Sequence, residues 1–404
     1  MRIAYITYEF PPDTGKGGIG TYSKQVASIM AGLGWDIHVF AGSPKKQASQ
    51  KTAGYHVHFI ECDNGFDFRE NVAPVFSKEH YILPFDLIES PEINGNAWEV
   101  KKAYPLIPLV VRLHAPNWLV EQLKKRYVSF FAKLRFLLGA LRRGRWDAGY
   151  WRSYNFKVDP DYRFTLLANA ITAPSQTMKN WAMENWRLAD NTITIMPNPF
   201  TAPGALLALP IHLHPVKKEI LFFGRLNVLK GLVNGTLAMK RILKEFPKYY
   251  FKVIGDDGEG PTSKILMRKW MQQQLNGVKG RVIFIDGLPY EQLPAAIADA
   301  TIVLLPSLFE SFSYTCAEAM AAGKAVIGSR DTGMADMIQH NKTGLLVDAE
   351  NVSEICAALK QLIGDNEGRC KMAVQARQSI QSKYNAQKLA KDYLHFYKNV
   401  VFTD

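Results

Sequence analysis

Two carboxylates, Glu310 and Glu318, stand with seven residues between them in a stretch that reads LLPSLFESFSYTCAEAMAAGKAVIGSRDTGMADMIQHNKTGLLV from Leu304 to Val347. An apolar run over 301–305 reads as a buried parallel strand that Pro306 stops. A loop follows to Phe312. Ser313 suits the N-cap of a helix over about 314–322, since its hydroxyl can accept from first-turn amides. Gly323 suits the left-handed position past the helix end. A helix start at the carboxyl end of a parallel strand offers unpaired N–H groups and a favourable dipole to an anion. Glu310 then reaches over the pocket mouth. Glu318, inside the helix, is placed for the hydroxyls of a group behind a phosphate, such as a ribose. A charge-assisted hydrogen bond of that kind contributes about 1.5–3 kcal/mol. The competing reading is a capped surface helix with solvated acids.

Two cations complete the chemistry. Arg225 and Lys230 flank a loop, GRLNVLKG, directly after an apolar strand over 219–223. Such a pair can clamp a diphosphate and offset charge on a leaving group, or it can simply face solvent. His114 ends another apolar run, PLIPLVVRLHAP, where it can orient a sugar hydroxyl or serve as a core histidine.

The elements that must position these residues alternate strand and helix. Residues 2–8 form a first strand, a glycine-bearing loop with Gly17 and Gly18 follows, and apolar positions over 21–33 share a helix face. A second strand over 36–40 makes a βαβ start, so the fold class is α/β with a doubly wound sheet. Further strands are expected at 55–60, 85–89, 106–113, 170–173 and 192–196. Residues 201–215, rich in Pro, Ala and Leu, read as a linker, and a second α/β series begins at 219 with strands at 249–254 and 281–285. Gly255–Asp256–Asp257–Gly258 reads as a turn rather than a metal-binding acid pair. His56/His58 and His212/His214 alternate as on a strand face, but no third ligand accompanies either pair, so they read as ordinary strand residues and no metal is expected. Helices at 353–363, 368–383 and 386–399 end the chain.

The wording PSLFESFSYTCAEAMAAGKAVIGSRDTG resembles the nucleotide-sugar site of GT-B glycosyltransferases of the retaining family 4, and the resemblance covers nearly the whole chain. It implies a GT-B fold, two Rossmann-like domains facing a central cleft. The expected boundaries are 1–205 for the acceptor-side domain, 206–385 for the nucleotide-sugar domain and 386–404 for a helix crossing back. The resemblance implies metal-independent transfer of a sugar from a nucleoside diphosphate sugar to an acceptor hydroxyl of a glycan, glycolipid or lipid-linked intermediate, with no cofactor. Glu310, His114, Arg225 and Lys230 would carry the reaction. Gly17, Gly18, Asn198, Leu288, Phe312, Ser313, Tyr314 and Glu318 would hold substrate. The sequence departs from the family pattern at Ser311, Ser313, Ala325 and Asp336. Two other readings remain: a GT-B enzyme of another class, such as a nucleotide-sugar epimerase, and a noncatalytic membrane-associated module of the same fold.

Composition narrows the partners. A net charge of +12 favours an anionic partner, and nucleic acid is set aside because no RNA-recognition or zinc spacing is present. The four cysteines show no C-x-x-C spacing and suit a reducing, cytoplasmic compartment. The first ten residues are too short and too interrupted for a signal peptide, and no apolar run reaches the length of a membrane span. Residues 121–151 mix Lys124, Lys125, Arg126, Lys133, Arg135, Arg142, Arg143 and Arg145 with large apolar residues. They read as a basic amphipathic helix, suited to an anionic membrane surface or packed on the domain with a solvated basic face.

Overall fold

A computed structural model describes residues 1–15, 17–128, 130–144, 153–214, 217–262 and 265–402. The chain divides into two compact units, one of residues 1–117, 156–201 and 383–404, the other of 118–155 and 202–382.

Along the chain run β1 (Arg2–Thr7), α1 (Gly18–Gly32), β2 (Asp36–Ser43), β3 (Ala48–Thr52), β4 (Tyr55–Glu61), α2 (Gly65–Ile82), β5 (Leu87–Pro91), α3 (Trp98–Ala103), β6 (Leu109–Arg112), α4 (Asn117–Lys125) and α5 (Phe130–Arg142). Then follow α6 (Pro160–Thr165), β7 (Ala170–Ala173), α7 (Gln176–Trp186), β8 (Ile193–Ile195), α8 (Gly204–Leu207), β9 (Glu219–Phe223), α9 (Leu232–Glu245), β10 (Tyr250–Ile254), α10 (Met267–Gln274), β11 (Val282–Ile285) and α11 (Leu293–Ala298). The chain closes with β12 (Ala300–Leu305), α12 (Tyr314–Ala321), β13 (Ala325–Ser329), α13 (Met334–Met337), β14 (Leu345–Val347), α14 (Val352–Gly364), α15 (Asn366–Lys383) and α16 (Ala386–Phe402).

The first unit is built on an eight-stranded sheet in the order β3-β4-β2-β1-β5-β6-β7-β8. All neighbours are parallel except the edge strand β3, which pairs antiparallel with β4. β1, RIAYIT, is buried at every position, as a central strand covered on both faces must be. The sequence reading missed β3, whose ASQKT is exposed throughout and carries no apolar alternation to mark it. The last helix belongs to this unit, where Tyr397 donates from its hydroxyl to Glu89 at 2.6 Å.

The second unit holds a six-stranded, wholly parallel sheet in the order β11-β10-β9-β12-β13-β14. Its central strands EILFF and ATIVLL are buried end to end. The mutual order of β9 and β12 brings the carboxyl ends of the two strands that precede Arg225 and Glu310 side by side.

Two expectations are corrected. The basic stretch is two helices, α4 and α5, and groups with the second unit rather than with residues 1–117. Within that unit Lys124 reaches Glu259 at 2.8 Å and Arg126 reaches Glu350 at 2.7 Å, pairs across separations that local pattern does not record. Residues 145–152, with Arg145 and Trp151, lie outside the described residues. His212 and His214 lie on no strand. Glu89, at the heart of the first unit, is buried and accepts from the Tyr22 and Tyr397 hydroxyls.

His56 and His58 do sit on a strand, and the fold adds the neighbours that the sequence spacing lacked. His38, from β2, stacks beside both, and Asp36 and Glu79 lie within ligand distance of the imidazoles. Arg2 occupies the cluster, with its guanidinium 2.9 Å from Asp36 and 3.1 Å from His38. Positive charge is therefore already supplied there. Burial, reinforced by Arg2 and by the other imidazoles, pulls the pKa of His38 down to about 3 and that of His58 to about 4. The unfolded chain binds these protons near pH 6.5 and the folded chain does not. Stability is thus complete above about pH 6.5 and is lost as pH falls toward 4. Urea unfolding at pH 7.5 and pH 5 is expected to show a lower midpoint in acid, and His58→Gln should flatten that dependence. An equal slope in both proteins would remove the cluster as its source.

Candidate functional site

The site residues fall into two groups, one in each unit, and each group is built by its own sheet. In the second unit β12 ends at Leu305, and the loop 306–312 leads into α12. Ser313 caps that helix, its Oγ accepting from the Cys316 amide at 3.3 Å. At the other end Gly323 takes φ of +64°, the left-handed conformation that side chains avoid. Both ends of α12 therefore lie where the spacing of Ser and Gly puts them.

The loop after β9 is moulded against the same place. Asn227 accepts from the Lys230 amide at 3.2 Å and closes a single turn. Gly231 then takes φ of +66°, and a Cβ there would lie 1.5 Å from the Pro306 carbonyl oxygen. Only glycine allows that approach, which Leu308 secures by donating to the Leu229 carbonyl at 2.8 Å. The result is that the Lys230 ammonium pairs with the Glu310 carboxylate. Ser307 donates to the same carboxylate oxygen at 3.1 Å. The Glu310 carbonyl accepts from Gly333 at 2.6 Å, so the loop before α13 rests against the glutamate loop. Gly333 must be small here, because a Cβ would fall 2.2 Å from the Ser311 oxygen. Arg225 is exposed and makes no ion pair among the described residues, and its neighbour Gly224 lies beside Thr315 in the first turn of α12. The cations, the capped helix start and Glu310 are thus gathered at the carboxyl ends of β9 and β12.

Glu318 lies deeper and is buried. Burial pushes its pKa up to about 8, and the hydrogen bond with the Tyr290 hydroxyl pulls the other way. Burial, and then the same contact, drive the Tyr290 phenol upward. Sequence reading missed Tyr290, although it directly follows the Gly287–Leu288–Pro289 loop, and an aromatic hydroxyl after that loop was the available signal. Leu288 is half-buried. Phe312 and Tyr314 flank the cap, with ring centroids 5.0 Å apart. The Asp256–Asp257 segment is a loop whose Asp257 carboxylate accepts from the Arg268 amide at 2.9 Å.

In the first unit Gly17 is the N-cap of α1 and Gly18 its first residue, and no side chain caps that helix start. His114 follows β6 and is buried. Burial, with Arg112 beside it, lowers its pKa to about 3, so the ring is neutral at any ordinary pH. It can orient a hydroxyl as a neutral donor or acceptor. Its backbone amide donates to both carboxylate oxygens of Glu92 at 2.9 Å. Glu92 is fully buried, and its pKa is pushed up to about 8 by that burial. Asn198 accepts from Arg112 at 2.5 Å, and the Arg112 guanidinium stacks over Tyr22 at 4.6 Å. Asn198 is therefore committed to a buried cation, a partnership that no sequence spacing announces.

This architecture, two α/β units with parallel sheets and an anion-ready helix start after a central strand, is that of the GT-B glycosyltransferases. Residues 211–379 match the family described as glycosyl transferases group 1, and residues 16–201 match glycosyltransferase family 4. An uncharacterized glycosyltransferase of Methanocaldococcus jannaschii is 30% identical over 98% of this chain and 98% of its own. A D-inositol 3-phosphate glycosyltransferase of Corynebacterium urealyticum is 30% identical over 99% of this chain and 96% of its own. Among solved structures, sucrose-phosphate synthase from Thermosynechococcus elongatus superposes with a TM-score of 0.78 at 17% identity, each chain covered in full. Anabaena HepE in complex with UDP superposes at 0.68 with 16% identity, over 99% of this chain and 100% of that one. The chain belongs to the group 1 glycosyltransferases of the GT-B fold, and it is a glycosyltransferase.

Proposed function

We propose that this enzyme moves a sugar from a nucleoside diphosphate sugar to an acceptor hydroxyl with retention of anomeric configuration and without a metal. The observation that carries the reading is the Lys230–Glu310 pair set beside the Ser313-capped start of α12. Lys230, Arg225 and the first-turn amides would hold the diphosphate and offset the charge that develops as the glycosidic bond breaks. Glu310, already aligned by Ser307, would hold donor-sugar hydroxyls. Glu318 would take the ribose hydroxyls. The leaving phosphate oxygen would accept the acceptor's proton on the same face from which it departs, so no protein nucleophile is required. His114, neutral, would position a hydroxyl. The UDP in the Anabaena structure supports a nucleotide donor.

The test begins with thermal stabilisation by UDP-, GDP- and ADP-sugars. The donor that stabilises is then incubated with and without acceptor, and the product's anomeric proton coupling is read by NMR. A product with the donor's configuration is expected. Inversion would exclude the mechanism, and a changed donor sugar without acceptor would mean epimerisation.

The acceptor is proposed to lie at an anionic membrane, on its cytoplasmic face. The support is α5, whose FFAKLRFLLGALR contains no acid. Phe130 is 65% exposed, Phe131 80% and Leu138 57%, and Arg135, Arg142 and Arg143 are exposed beside them. α4 contributes little, since its lysines are engaged by Glu259 and Glu121. No helix among the described residues is long and apolar enough to cross a membrane. Each basic residue near an anionic surface contributes about 1 kcal/mol, and buried rings add to it. Sedimentation with phosphatidylserine vesicles is expected to carry the protein down at low salt. Added salt, or serine at Phe130, Phe131 and Leu138, should release it. Equal binding to neutral and anionic vesicles would contradict the proposal.

A further inference from the structure

A polar cavity lies at the end of the second unit's sheet opposite the Lys230–Glu310 pair, where β12 and β13 begin rather than end. Its volume is about 130 Å³, and Lys217, Asp299, Lys324 and Arg369 line it with His212 and Cys370. Lys324 and Arg369 are only 4% and 3% exposed. The Lys324 ammonium has three donors, of which one goes to the Ala298 carbonyl at 2.7 Å. No carboxylate pairs with it among the described residues. The one carboxylate in the lining, Asp299, is taken by Lys217 at 2.5 Å.

Cations outnumber carboxylates around it. Arg377, from α15, bonds the Ala321 and Ala322 carbonyls just ahead of Gly323. Lys252, from β10, is paired with Glu219 at 2.9 Å. Lys217, Lys252, Lys324, Arg369 and Arg377 therefore face two carboxylates, Asp299 and Glu219. A buried ammonium without a counter-ion is costly. Burial, and then Arg377, pull the Lys324 pKa down to about 8. A group in that state gains most from a compact anion. The space suits one tetrahedral oxyanion, and Arg369 and Lys217 add charge at its wall and mouth.

We propose that this cavity is a binding site for a phosphate dianion, either free inorganic phosphate or the phosphoryl end of a small phosphomonoester, separate from the sugar-nucleotide site. The two sites use different ends of β12, so occupancy of one does not require the residues of the other. Lys324 is the anchoring cation and Lys217 the gate, since an incoming anion competes with Asp299 for it.

Calorimetric titration with inorganic phosphate tests the assignment. The protein used carries Arg225→Ala and Lys230→Ala, which removes the phosphate-holding cations of the proposed donor site. Phosphate binding is expected to persist in that protein. Adding Lys324→Met should weaken it at least tenfold. Lys217→Glu, an exposed change that leaves the core intact, should weaken it similarly. Glycerol 3-phosphate is titrated in parallel. Tighter binding than inorganic phosphate assigns the site to a phosphomonoester, and weaker binding assigns it to the free ion. Phosphate affinity unchanged by both lysine substitutions, or no binding once Arg225 and Lys230 are gone, would overturn the proposal. These outcomes are independent of the donor assignment, which rests on nucleotide binding by the unsubstituted protein.

Discussion

Lys230→Ala is expected to lower kcat by about 10²–10³-fold while the KM for donor changes only a few-fold. An oxyanion-stabilising donor contributes on this scale because negative charge grows on the diphosphate only as the glycosidic bond breaks. Removing Lys230 also leaves Glu310 without the ammonium that its carboxylate engages, beside the bound anion. Arg225 is exposed and makes no ion pair among the described residues, so Arg225→Ala should act in the same sense with a smaller effect. Steady-state kinetics at saturating acceptor distinguish this from simple binding. A raised KM with unchanged kcat would mean that the cations hold donor and transition state equally.

Glu318→Ala should weaken nucleoside diphosphate binding by about 1.5–3 kcal/mol, the contribution of a charge-assisted hydrogen bond. Its environment adds a second signature. With its pKa raised to about 8, Glu318 is mostly protonated at pH 7 in the free enzyme. Two ribose hydroxyls donating to it would favour the ionised form. Nucleotide binding at pH 7 should therefore release a proton, and affinity should rise as pH increases toward 8. Calorimetry in buffers of different ionisation enthalpy measures that proton directly. Its absence, with affinity unchanged in Glu318→Ala, would take Glu318 out of the ribose role.

Much of the second unit was legible because local signals agreed there. The apolar run before Pro306, the Ser313 cap and Gly323 each mark a boundary by a short-range rule, and all three hold. What the sequence concealed are partnerships across long separations. Lys230 and Glu310 were read as separate tools, and the fold joins them because Gly231 lets the two loops touch. Tyr290 was marked only by its place after the Gly287–Leu288–Pro289 loop, and its partner Glu318 is given by the fold. Asn198 is bound to Arg112, 86 positions away, and no periodicity records such a pair. β3 was missed because an exposed edge strand need not alternate. The basic stretch reads as one element because charge and apolar content run on across the break between α4 and α5, and its paired acids Glu259 and Glu350 are far away in sequence.

The central claim is that Arg225, Lys230, Glu318 and the start of α12 form a nucleoside diphosphate site. Calorimetric titration of the unsubstituted protein with UDP, GDP and ADP, each beside its monophosphate, tests it most directly. At least one diphosphate should bind, its monophosphate should bind more weakly, and the protein with Arg225, Lys230 and Glu318 all replaced by alanine should bind neither. Failure of every diphosphate to bind, or undiminished binding by the triple variant, would contradict the account.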